Sequence, residues 1–173
     1  MKDKYNHLPH IDSIGSYQFI TFRTKDSLDS YLKDLYNSNI LEKIKQYKID
    51  KYLDLSKKGA FLQGEIVCKI KDYYINYNKN IFEVVALTIM PNHIHILLRQ
   101  NDKLPNIISI LKGGSSRIIN KALDSKGAVW SRDYFDKAIR NERHFWIVYE
   151  YIKYNAIKAN LKDAKERFYG IYE

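Results

Sequence analysis

The run "IFEVVALTIM", Ile81 to Met90, is almost continuously apolar and rich in β-branched side chains, the pattern of a strand buried on both faces. Pro91 and Asn92 interrupt it, and "HIHILLRQ", His93 to Gln100, resumes as a second strand, so an adjacent strand pair is expected. Upstream, "SYQFITFRT", Ser16 to Thr24, mixes β-branched and aromatic residues and reads as a first strand. Lys25 to Lys58 carries charged residues with spaced leucines and tyrosines, which predicts one or two helices joined by a loop, with Asp26 or Ser27 as N-cap. Ala60 to Tyr77 has Leu62, Ile66, Ile70 and Tyr73 or Tyr74 at helical spacing on one stripe. Leu104 to Leu123 predicts a further helix. Gly113 and Gly114 in "LKGGSSRIIN" weaken its middle by roughly 1 kcal/mol each relative to alanine, which points to close approach of another backbone or to a break. Ala128 to Ile139 reads as a fourth strand with a ragged end, and Asn141 to Ala159 as the last helix. The order strand, helices, strand, strand, helix, strand, helix is that of an α+β ferredoxin-like sandwich, an antiparallel sheet with helices packed on it.

Composition narrows the classes. A chain of 173 residues with 45% hydrophobic content supports one ordinary core, and a single domain over residues 1–173 is expected. The single cysteine, Cys68, has no second thiol for an intramolecular disulfide. The stretch "MKDKYNHLPHIDSIG" lacks the apolar run of a secretory signal, and no later run reaches membrane-spanning length. A cytoplasmic protein with no membrane partner is the expectation. Twenty-nine Lys and Arg against twenty Asp and Glu give a formal charge of +9, and 15 tyrosines enrich the aromatic content. Such chains suit nucleic acid, where cations neutralise phosphates and rings stack on bases, although basic surfaces also serve solubility.

Within this frame His93 and His95 stand two apart in a strand, so both rings project from one face and Ile94 and Ile96 from the other. Two accounts are open: ordinary strand residues hydrogen-bonded at a sheet surface, or metal ligands. Two imidazoles are too few for a structural zinc site, and no argument places His7, His10 or Cys68 beside them. With one further protein oxygen they would make an open site that leaves positions for a substrate phosphate and water. Tyr151 and Asn155, four apart on the last helix, share one face, with Ile147, Val148 and Ile152 on the neighbouring arc expected to hold that helix to the sheet.

These residues resemble a known family. "MPNHIHILL" is similar to the His-hydrophobe-His (HUH) motif of the IS200-like, single-tyrosine transposases. "LKGGSSRIIN", "VWSRDYFDKAIR" and "YEYIKYNAIKANL" resemble the segments that follow it in order, the last most like the REP-associated branch. The resemblance spans about Gly15 to Leu161, with Ala156 where the family often has proline. It implies that Tyr151 is the nucleophile and that His93, His95 and the Asn155 amide oxygen bind Mg2+ or Mn2+. It also implies a 5′-phosphotyrosine intermediate, single-stranded DNA with hairpins as substrate, and a homodimer. Lys112, Arg117, Arg132 and Arg140, between the histidine strand and the tyrosine helix, are the expected phosphate contacts. Trp130 is either a base-stacking platform or core. Competing readings are a non-catalytic single-strand binding module, and a rolling-circle-type nicking enzyme with the same metal chemistry.

Overall fold

The computed structural model describes residues 12–173, so the reading of the N-terminal stretch and of His7 and His10 lies outside the described residues. Five strands form one antiparallel sheet: β1 (Tyr17–Arg23), β2 (Phe82–Ile89), β3 (His93–Gln100), β4 (Phe135–Ala138) and β5 (Phe168–Gly170), in the order β4-β1-β3-β2-β5. The first four have the strand order of a ferredoxin-like sandwich, and β5 adds an edge beside β2. The chain therefore contributes to the sheet beyond Leu161, where the sequence carries too short an apolar run to signal a strand.

Alternation along β3 divides the molecule. Ile94, Ile96 and Leu98 join the larger core with residues of α3 (Glu65–Ile75) and α4 (Leu104–Ala122). On the opposite face Leu97, with Phe19 of β1 and Val85 and Ala86 of β2, packs against Val148, Tyr149 and Ile152 of α5 (Glu142–Lys158). The histidines, in register with Arg23 and Thr21 of β1, belong to this second face. Ile147 departs from expectation: it is 58% exposed, because it lies just outside the arc that Val148 and Ile152 press onto the sheet.

The segment after β1 has a 3-10 turn, Lys25–Ser27, followed by α1 (Ser30–Asn37) and α2 (Glu42–Leu55). Neither Asp26 nor Ser27 caps α1. Asp29 does, its carboxylate accepting from the Leu32 amide. Leu32, Leu35, Ile49 and Leu53 form a small satellite core between the two helices. The helix expected from Ala60 starts only at Glu65, and α6 (Ala164–Arg167) lies against its flank. Buried Arg167 donates to the carbonyls of Leu62 and Ile89, pinning the approach to α3 and the end of β2 to the C-terminal segment.

The double glycine does not break α4. A Cβ at Gly114 would land on the ring of Tyr73 from α3, so the glycine permits a close side-chain approach to the helix, while Gly113 faces open space. Ser115 beside it accepts from the indole of Trp130 (2.9 Å), and Trp130 packs edge-on to Phe22 at 4.7 Å. Trp130 is therefore core. The expected fourth strand shortens to β4: Trp130 keeps an isolated bridge to Thr24, and the carbonyls of Ser131, Arg132 and Asp133 turn to the Lys112 ammonium (3.0–3.1 Å). Gly114→Ala is expected to destabilise the fold by about 1–3 kcal/mol through overpacking, whereas Gly113→Ala adds up to about 1 kcal/mol of helix propensity. Urea denaturation of the two variants separates these opposite signs.

Candidate active site

At the start of β3 the side chain of Asn92, fully buried, donates to three carbonyls at the end of α2: Leu53 (3.0 Å), Ser56 (3.1 Å) and Lys58 (3.4 Å). Its amide nitrogen being spent, its oxygen faces His93 Nδ1 at 2.7 Å, which makes Nδ1 the protonated nitrogen and leaves the lone pair on Nε2. His95 Nδ1 meets the Thr21 hydroxyl at 2.8 Å, and the two Nε2 atoms face each other at 3.1 Å. Both rings are fully buried. Burial holds His93 down to about 3 and His95 well below the usual imidazole range, the latter helped by its neighbour, so both are neutral. Two bare Nε2 atoms at that distance repel; a shared proton, as when Thr21 donates to His95, or a cation relieves them. The hydroxyl of Thr21 can donate or accept, which lets His95 take either tautomer.

Tyr151 comes down from α5 onto this pair, its ring 5.2 Å from that of His95 and edge-on to Phe19. Its hydroxyl donates to Asp50 Oδ2 at 2.8 Å, and Gln46 donates to Asp50 Oδ1 at 2.7 Å. Burial, then the adjacent Asp50 carboxylate, pushes the phenol far above its ordinary range. Burial pushes Asp50 up to about 7 against the two hydrogen bonds, and pushes Asp54 up to about 6. Asp54 Oδ1 lies 3.5 Å from His93 Nε2. The tyrosine competitors stand elsewhere: Tyr149 packs against Phe168 and Tyr172, and Tyr154 is exposed beneath Lys153. Helix α5 runs straight through Ala156, which is buried, and Asn155 is 4% exposed.

Three buried oxygens have no hydrogen-bond partner: Asp54 Oδ1 beside His93, Thr88 Oγ1 on the residue paired with His95, and Asn155 Oδ1 one turn from Tyr151. Buried acceptors are normally satisfied, so unsatisfied ones on the face that carries two facing imidazole nitrogens suit a cation. The 3.1 Å between Nε2 atoms is also close to the roughly 3 Å that separates neighbouring ligands of one ion at metal-ligand distances of about 2.1 Å. Among the described residues no three His, Cys, Asp or Glu groups are already gathered to hold an ion.

Of the expected DNA contacts, Arg117, Arg132 and Arg140 are exposed, Arg117 interacting with Tyr73. Lys112 is instead turned inward to its three carbonyls and over the rings of Phe22 and Tyr134, and desolvation lowers it to about 8. No helix among the described residues is long and apolar enough to cross a membrane.

The model of the family described as transposase IS200-like matches residues 55–155, more than half the chain, and includes both histidines, Tyr151 and Asn155. The chain belongs to the IS200-like transposases. Among solved structures, a REP-associated tyrosine transposase bound to a REP hairpin aligns with 17% identity and a TM-score of 0.48, over 88% of this chain and 73% of that one. A Deinococcus radiodurans R1 protein described as a transposase aligns with 19% identity and a TM-score of 0.46, over 90% and 98%. No protein of curated function matches the transposase.

Asp50 and Asp54 are the site residues that sequence reasoning missed. They sit one turn apart in "IDKYLDL", but nothing local distinguishes them from the other charges of that helix. A carboxyl raised on folding opposes stability once ionised. Both forms are protonated below about pH 4; as pH climbs toward 7 the unfolded chain loses the Asp50 proton first, so the folded state binds more protons and stability falls. The fall is expected on the order of 2–4 kcal/mol, with Asp54 adding in the same direction. Asp50→Asn should shrink it and raise the urea midpoint at pH 8 in chelator, about the pH where the wild-type carboxylate is charged.

Proposed function

We propose that this transposase cuts and rejoins single-stranded DNA through Tyr151, with Mg2+ or Mn2+ held by His93, His95 and Asn155. The observation that carries the reading is the meeting of the Tyr151 hydroxyl, bound to Asp50, with the facing imidazoles of His93 and His95 on one sheet face. When bound, the cation polarises the scissile phosphate and steadies the departing 3′ oxygen.

The chain's own residues do the rest. Tyr151 Oη attacks phosphorus, the bond from phosphorus to the 3′ oxygen breaks, and the phenolic proton passes along the existing hydrogen bond to Asp50. The 3′ oxygen leaves as a hydroxyl, taking its proton from solvent. A 5′-phosphotyrosine link keeps the energy of the broken phosphodiester, so another 3′ hydroxyl can reverse the step and join new ends without ATP. Phe19 fixes the ring edge-on, and Thr21 and Asn92 hold the imidazoles in orientation. The motif resemblance supports extending this to hairpin-bearing DNA of the REP type and to a homodimer, with residues 15–161 as a single catalytic domain that β5 extends.

Incubated with single-stranded DNA and Mn2+, the wild type should give a covalent protein–DNA adduct on a denaturing gel; EDTA should suppress it, and Tyr151→Phe should not form it at all. An adduct in that variant would reassign the nucleophile. A chain that binds DNA unaffected by EDTA or by His93 and His95 substitution would instead be a binding module.

Electrostatic grip should come from Arg117, Arg132 and Arg140 more than from the inward-turned Lys112. Replacing Arg132 or Arg140 by alanine should lower the slope of log affinity against log salt by about 0.7 each on single strands, and weaken binding alike on unrelated sequences. Titrations at several salt concentrations measure this directly.

A further inference from the structure

We infer that Asp54 is a ligand of the divalent cation, the anionic group that two imidazoles and an amide lack. The inference rests on the cation reading above and assigns a residue just outside the segment that matches the family.

The geometry singles out one atom. Asp54 Oδ1 approaches His93 Nε2 to 3.5 Å, and the same nitrogen is the one His95 Nε2 faces at 3.1 Å. Because Asn92 fixes the hydrogen of His93 on Nδ1, the nitrogen offered to Asp54 is a lone pair and not a donor. An ionised carboxylate oxygen and an imidazole lone pair at 3.5 Å, with Oδ1 itself buried, repel unless a proton or a cation lies between them, and a divalent ion would satisfy both. Oδ1 also has no hydrogen-bond donor, whereas both oxygens of Asp50 one turn earlier have one. Asp50 thus serves the phenol and Asp54 is left for the ion.

Two further facts suit the role. Asn155 Oδ1, 4% exposed as a residue and one turn from the nucleophile, is likewise without a partner, so both helices flanking the histidines bring an unsatisfied oxygen. The last turn of α2 also directs its carbonyl end to Asn92, and a helix C-terminus favours positive charge nearby. Mg2+ and Mn2+ take oxygen ligands readily, and one carboxylate lowers the charge an otherwise neutral donor set would leave on the bound ion.

Mn2+ binding to the whole chain, read by the electron paramagnetic resonance of free Mn2+, tests this without reference to activity. Asp54→Asn should weaken Mn2+ by about tenfold or more, and Asp50→Asn by much less. If Asp54→Asn binds as wild type does while His95→Ala does not, Asp54 is no ligand and the cation reading stands. If wild type binds no Mn2+, both fail. A second variant guards against misfolding: in a Cys68→Ser background, Asp54→Cys loaded with Co2+ should show thiolate-to-cobalt charge-transfer absorption. Bound Co2+ without that absorption, together with wild-type Mn2+ affinity in Asp54→Asn, overturns the assignment.

Discussion

The side chain of Asn92 is the joint on which the candidate site turns. Its amide nitrogen closes the end of α2, and its oxygen fixes the tautomer of the first histidine of β3. One residue thereby couples a helix from the N-terminal half to the central strand, with both ends of the coupling buried. Without it the Leu53 carbonyl would keep only the Ser56 amide, at 3.3 Å, and α2 would lose a tie that fixes its position over the histidines. Asp50 and Asp54 reach the site with the help of this bond, alongside the packing of Ile49 and Leu53 against α1.

Antiparallel pairing supplies the second half of the construction. Thr21 and Thr88 stand on either side of His95 in the sheet, so the hydroxyl that orients the imidazole and the oxygen left unsatisfied beside it both come from strand register. A one-residue slip of β1 would turn Thr21 to the opposite face and replace it with a large apolar neighbour. Helix α5 then needs only its Val148 and Ile152 contacts to set Tyr151 over the pair, since Phe19 and His95 are already in place to receive the ring.

Those parts of the site governed by a short repeat were legible in the chain. Alternation put His93 and His95 on one face, and four-residue spacing put Tyr151 and Asn155 on another. The roles proposed for them come from the motif resemblance. Asp50 and Asp54 obey the same helical spacing, yet in "EKIKQYKIDKYLDL" they look like any solvated charge. What brings them to the histidine face is long-range contact, the bond from Asn92 and that of Asp50 with Tyr151 among it, and no local pattern encodes that. Lys112 turns inward for the converse reason: its place between the histidine strand and the tyrosine helix suggests a phosphate contact, but its carbonyl partners lie some twenty residues away. The edge strand β5 was invisible because three residues of strand carry no periodicity, and its place is set by Arg167 reaching Leu62 and Ile89.

A site of this kind is built against stability. Two carboxyls are desolvated, two imidazoles are kept neutral with their Nε2 atoms opposed, and three oxygens go without donors. Each costs folding free energy that an apolar replacement of similar shape would recover. The larger core behind the sheet, with Ile20, Ile94, Ile96 and Leu98 fully buried against α3 and α4, is what tolerates that cost. A cation entering between these groups would satisfy them together, and by mass action would stabilise the folded state in proportion to the logarithm of its concentration over its dissociation constant. The strain at the histidine face and the affinity for the ion are then one quantity seen from two sides: the less comfortable the empty arrangement, the more free energy the ion recovers on binding.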